Sequence, residues 1–195
     1  MSAKRLIVAT GNCGKLQEIK EILTDYEVLG AAEAGLSFSA EETGTTFYEN
    51  VAIKARALSA LTNSAVLADD SGLCVDVLGG APGVYSARYA GENATDAENI
   101  RKLLAALEHV PPQERTARFC SVVCLITESK EELFGEGSCE GQILTAPEGD
   151  GGFGYDPVFF SKDFGQSFGA LTHEQKNSIS HRKRALTDLL AKLRR

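Results

Sequence analysis

No run of apolar residues approaches the roughly 18 that a membrane-spanning helix requires, so a membrane protein is not expected. The apolar run Leu6-Ile7-Val8-Ala9 behind Met1 to Arg5 is too short for the core of a signal peptide, and no small-residue cleavage site follows it. Cysteine is sparse. Cys13, Cys74, Cys120, Cys124 and Cys139 are odd in number and form no C-x-x-C pair. That leaves neither a disulfide framework nor a zinc knuckle and suits a reducing cytoplasm. Positive charge is in deficit as well, with 20 lysines and arginines against 27 acidic residues and a net charge of −7. Nucleic-acid backbones demand a basic face, so that partner is not expected, whereas a small anionic substrate needs only local cations. Internal repeats, low-complexity tracts and linkers are also lacking, so residues 1–195 read as one domain, with room for two lobes sharing a core.

What is present is an ordinary globular balance of 43% hydrophobic and 24% charged residues. Leu6 to Ala9 reads as a buried strand, Thr10 to Gly14 as a turn, and Leu16, Ile19, Ile22 and Leu23 as one helical face. Thr46 and Glu49 have the spacing of a capping box, and Phe47, Val51, Ala55, Leu58 and Leu61 then make an inward stripe. Ala65 to Ala68 reads as a strand that stops at Asp69-Asp70-Ser71-Gly72; Leu73 to Leu78 is a second, broken by Gly79 to Gly83. Thr95 and Glu98 cap a further helix carrying Ile100, Leu103, Leu104 and Leu107. Strands over 116–127 and 132–139 turn around Ser129, a glycine-rich loop covers Ala146 to Tyr155, and Pro157 to Phe160 returns to strand. A last helix carries Leu186, Leu189, Leu190 and Leu193. Alternating strands and helices with a hairpin predict an α/β fold around a mixed sheet.

Five segments could carry chemistry. Thr10-Gly11-Asn12-Cys13-Gly14-Lys15 joins a strand to a helix; glycines admit a ligand to the backbone, the helix N-terminus offers N–H groups to an anion, and Lys15 adds a charge. The spacing of a Walker A loop is absent, and an ordinary tight turn with a solvated lysine fits equally well. Asp69-Asp70, at the end of an apolar strand, could hold a divalent cation or take a proton from water. Adjacent residues of a strand point opposite ways, so one of the two could be structural, and both could simply serve a turn. Glu41 and Glu42 precede a helix, where a metal or the helix dipole alone would favour them. Gly152 and Gly154 flank Phe153, freeing the backbone to present its ring to a base with Asp156 nearby; packing of Phe153 and Tyr155 inward is the alternative. Lys176 to Arg184 concentrates cations at a helix start, against the dipole, which points to a bound anion or an electron-rich base edge, although Lys183 and Arg184 read as solvated. His109 and His173 read as surface residues.

Together these segments resemble the inosine triphosphate pyrophosphatase family over nearly the whole chain. The resemblance rests on Ala9 to Lys15, Glu42 to Phe47 with Glu49-Asn50, Ala68 to Leu73, Gly79 to Tyr89, Gly152 to Pro157 and Ser180-His181-Arg182, in this order. It implies a two-lobed α/β fold around a long mixed sheet with the active site in the cleft, and a homodimer in the cytoplasm. It also implies magnesium-dependent cleavage of ITP, dITP and XTP to the monophosphate and pyrophosphate. By the same resemblance Thr10, Gly11, Asn12, Cys13, Gly14 and Lys15 bind the triphosphate, with no catalytic part for Cys13. Asp70 is the base and a magnesium ligand, Ser71 touches substrate, and Glu41, or Glu42 on a one-residue shift, is the other ligand. Phe153, Gly154, Tyr155, Asp156, Lys176, His181 and Arg182 hold base and sugar. A donor such as Lys176 or Arg182 would select the 6-oxo group over the amino group of adenine. Two competing readings are a pyrimidine-nucleotide pyrophosphatase of the Maf type and a nucleotide sensor without turnover.

Overall fold

A computed structural model describes residues 4–194. Seven strands form one mixed sheet in the order β2-β1-β3-β4-β5-β6-β7. They are β1 (Lys4–Ala9), β2 (Tyr26–Gly30), β3 (Ala65–Val75), β4 (Thr116–Ile126), β5 (Glu132–Ile143), β6 (Phe159–Ser161) and β7 (Gln166–Ser167). β1 pairs in parallel with β2 and β3, while β6 pairs antiparallel with β5 and β7. The helices are α1 (Cys13–Ile22), α2 (Phe47–Ser59), α3 (Asp96–Ala106), α4 (His173–Ile179) and α5 (His181–Leu193). No helix among the described residues is long and apolar enough to cross a membrane.

The chain divides into two compact units. The first comprises the chain up to Asp70, Ser121–Gly137 and the chain from Arg182 onward. Its strands bury both faces, so alternate residues meet different helices. Leu6, Val8, Leu67, Val123 and Leu125 pack with Ile19 of α1 and with Leu186 and Leu189 of α5. Ile7, Ala9, Val66, Ala68, Val122 and Cys124 pack with Val51, Ala55 and Leu58 of α2. The second unit comprises Ser71–Cys120 and Ser138–His181. Its core gathers Leu73, Val75, Phe119, Cys139, Ile143, Tyr155, Phe159 and Phe168 with Leu103 of α3 and Leu107 just past its end.

Several local expectations hold because their causes are local. Thr46–Glu49 and Thr95–Glu98 both form reciprocal capping boxes. His109 and His173 are exposed. Three readings need correction. The runs Ala65–Ala68 and Leu73–Leu78 are not two strands: β3 continues through Asp69 and Asp70 to Val75. Leu61 lies past the end of α2 and is 48% exposed. The basic segment belongs to two helices, Lys176 within α4 and His181–Arg184 opening α5, separated by the extended Ser180.

Candidate active site

The two-residue period of β3 decides what each aspartate meets. Asp69 follows Leu67 onto the face covered by α1 and α5; Asp70 follows Val66 and Ala68 onto the face covered by α2. On its side Asp69 is fully enclosed by donors. Its Oδ2 lies 2.9 Å from Lys15 Nζ and 3.1 Å from Arg182 Nη2. Its Oδ1 accepts from the Ser121 hydroxyl at 2.7 Å and from Arg182 Nε at 3.2 Å. Burial alone would raise its pKa, but Arg182 and Lys15 hold the carboxyl well below the usual range. Asp69 is a permanent anion that anchors two cations.

Asp70 has a different environment. Its Oδ1 accepts from Lys54 Nζ of α2 at 2.7 Å, while its buried Oδ2 has no hydrogen-bond partner among the described residues. Burial pushes the Asp70 carboxyl up against the pull of Lys54 and Lys15, and Glu42 adds to the rise. For Lys54 the burial penalty is overcome by the carboxylates, Asp70 foremost, and its pKa is raised. Two neighbouring carboxyls are thus driven in opposite directions, the signature by which an acid–base group is separated from a fixed charge.

Lys54 also lies 3.2 Å from Glu42 Oε1. The loop before α2 is pinned to the helix, which brings Glu42 there. Asn50 Oδ1 accepts from the Gly44 N–H at 2.8 Å, and Glu49 Oε2 accepts from the Thr45 and Thr46 N–H groups at 2.7 and 3.1 Å. A Cβ on Gly44 would fall 2.6 Å from Asn50 Oδ1, so the close approach requires glycine. Glu41 is exposed and Glu42 half-buried; Glu42, not Glu41, shares a lysine with Asp70.

The loop after β1 is a helix N-terminus open to solvent. Asn12 caps α1 by accepting from the Lys15 N–H at 2.9 Å, and Thr10 Oγ1 accepts from the Asn12 N–H at 3.1 Å. Gly11, Asn12 and Cys13 are exposed, an added Cβ on Gly11 would meet nothing within 4 Å, and the first turn holds no acidic residue. The exposed N-terminus of α1 beside Lys15, itself 16% exposed, offers a seat for an anion.

The second unit holds the other predicted residues. Phe153 is half-buried between Gly152 and Gly154, whose φ of 75° and 62° lie in the left-handed region. Lys176 Nζ sits 4.5 Å from the centre of its ring and 2.6 Å from Asp156 Oδ2. Asp156 is buried and also accepts from the Phe153 N–H at 2.9 Å, so it positions both groups. The Gly154 N–H donates to Asp96 at 2.7 Å. His181 stacks on Phe119 at 4.8 Å between ring centres. Ser71 is half-buried. Tyr155 belongs to the core: it is 4% exposed and its hydroxyl donates to the Ser86 carbonyl at 2.8 Å. In that position it supports the loop.

Arg182 lies deeper than a cation at a helix start suggests. It is wholly buried, paired with Asp69 and with Glu18 of α1 through Nη1, so its guanidinium is held in the first unit's ion network. Lys54, Glu18 and Ser121 were not foreseen. Lys54 did leave a signal, since it interrupts the inward stripe of Val51, Ala55 and Leu58 with a charge. Glu18 beside Ile19 is a fainter case, and nothing near Ser121 marks it.

Comparison with known proteins bears on this arrangement. The model of the Ham1 family matches residues 6–192. A dITP/XTP pyrophosphatase of Treponema denticola is 50% identical over 186 residues, covering 93% of this chain and 94% of the relative. The dITP/XTP pyrophosphatase of Escherichia coli (strain K12) is 47% identical over 195 residues, 98% of each chain. Among solved structures, the Ham1 protein of Staphylococcus aureus aligns with a TM-score of 0.85 at 42% identity over 98% of both chains. A HAM1 protein from Coxiella burnetii aligns with a TM-score of 0.85 at 43% identity, over 97% of this chain and 98% of that one.

Proposed function

The chain belongs to the Ham1 family, and from that premise we infer that it is a nucleoside triphosphate pyrophosphatase that takes dITP and XTP to the monophosphate and pyrophosphate. The observation that carries the assignment of roles is the buried Oδ2 of Asp70, without a hydrogen-bond partner among the described residues and beside two lysines. An orphaned carboxylate oxygen costs free energy unless something arrives to use it.

Glu42 and Asp70 offer the hard oxygen donors that magnesium takes, and the unpartnered Oδ2 fits such an ion. Magnesium bound there supplies positive charge against the substrate's phosphate oxygens. The remaining work belongs to the chain. The backbone N–H groups of Gly11, Cys13 and Gly14 and the ammonium of Lys15 hold the phosphates, and Asp69 fixes Lys15 in place. Asp70 is the group placed to accept the proton of the attacking water, and Lys54 fixes its orientation through Oδ1. Catalysis of this kind is mostly positioning and charge stabilisation. Phe153 offers a face for the purine, with Lys176 as the donor to the 6-oxo group. Adenine, with an amino group there, leaves that donor unmatched at a cost of about 1–3 kcal/mol, about ten- to a hundred-fold in selectivity.

Metal removal tests the reading. With dITP as substrate, a chelator is expected to abolish pyrophosphate release and magnesium in excess to restore it. Full turnover in the chelator would remove Glu42 and Asp70 from the role of metal ligands.

A further inference from the structure

Two of the five cysteines lie together, outside the groups described above. Cys74 is in β3 and Cys120 in β4, strands that are neighbours in the sheet. Both are half-buried free thiols, and their side chains hydrogen-bond to each other. Arg118, two residues before Cys120, pairs at 3.0 Å with Asp76, two residues after Cys74, and ties the same two segments together. Neighbouring strands run about 4.7–4.9 Å apart, within the roughly 4.4–6.8 Å between Cα atoms that a disulfide spans. The other thiols have different surroundings: Cys13 is exposed, Cys124 is buried, and Cys139 Sγ lies 3.9 Å from both Ser161 Oγ and Asp163 Oδ2.

We propose that Cys74 and Cys120 are a thiol–disulfide exchange site, closing a reversible cross-strand bond when a low-molecular-weight disulfide is in excess. The two thiols have distinct parts. The hydrogen bond from Cys120 lowers the Cys74 thiol against desolvation, with help from the charge of Arg118; the same hydrogen bond and burial raise the Cys120 thiol. Cys74 is therefore the attacking sulfur, since the thiolate is the nucleophile. Its thiolate, the proton having passed to solvent, attacks one sulfur of the small disulfide, forms a mixed disulfide and expels one small thiolate. Cys120 then loses its proton to solvent, attacks the Cys74 sulfur and expels the second. The protein gives up two electrons, the small disulfide is reduced to two thiols, and an excess of small thiol runs both steps backwards. The bond joins the same two strands that carry Asp69, Asp70 and Ser121.

The test uses the full folded chain incubated with oxidised glutathione, quenched in acid, alkylated and digested for peptide mass analysis. The expected product is a peptide pair linked through Cys74 and Cys120 that disappears after treatment with reduced glutathione in excess. Two variants separate the roles. Cys120→Ser is expected to keep Cys74 as a mixed disulfide with glutathione, and Cys74→Ser to leave Cys120 reduced. The proposal is overturned if the linked pair is absent from the unsubstituted protein, or if each cysteine takes up glutathione equally in the two variants.

Discussion

Asp70→Asn lowers kcat for dITP by about 10²–10⁴-fold, the usual worth of a general base, in a protein that still unfolds cooperatively. Asparagine keeps the shape and an acceptor for Lys54, and Glu42 remains 3.2 Å from that lysine, so the buried ammonium retains a partner. The proton acceptor is lost, together with the oxygen that has no hydrogen-bond partner among the described residues. Steady-state turnover and urea unfolding on the same preparation check this. Near-normal kcat in a folded variant would show that Asp70 is not the base. Asp69 is poorly suited to inherit the task, because four donor contacts use its two oxygens and its cationic neighbours hold it ionised.

Arg182→Ala has its largest effect on stability. The guanidinium lies in the interior against Asp69 and Glu18, and removing one partner of a buried ion pair costs about 3–5 kcal/mol because the remaining charges stay buried. At this chain length each kcal/mol corresponds to about 2–4 °C in Tm. Arg182→Lys is expected to recover only part of the loss, since an ammonium cannot reproduce the fork that meets both oxygens of Asp69. Equilibrium unfolding of the two variants decides the matter. Unchanged stability with a raised KM for dITP would return Arg182 to the substrate. Loss of the network also releases Lys15, which Asp69 holds at 2.9 Å, so turnover falls in the same variant.

The parts of this fold that the sequence reveals are those whose cause lies within one turn of helix or one strand. Thr46 with Glu49 and Thr95 with Glu98 specify helix starts because both partners of each capping box are three residues apart. The short edge strand β2, half-exposed over Tyr26–Gly30, has too weak an alternation to stand out. β3 resists reading for a stronger reason. Two adjacent carboxylates look like the end of a strand, and what lets the strand continue is a set of cations remote in sequence: Lys54 on one face, Lys15 and Arg182 on the other. The same remoteness hides the partners of Arg182, which has no acidic neighbour in sequence yet is neutralised by Asp69 and Glu18. For Glu41 and Glu42 the loop has no period that could say which faces inward; Asn50 and Glu49, holding the Gly44 to Thr46 backbone, bring Glu42 to Lys54.

The most direct test of the central claim identifies the products formed from dITP, XTP and dATP with magnesium present. Equal amounts of nucleoside monophosphate and pyrophosphate are expected from dITP and XTP, with kcat/KM for dATP lower by about ten- to a hundred-fold. Nucleoside diphosphate with orthophosphate, or equal rates on dITP and dATP, would contradict that claim.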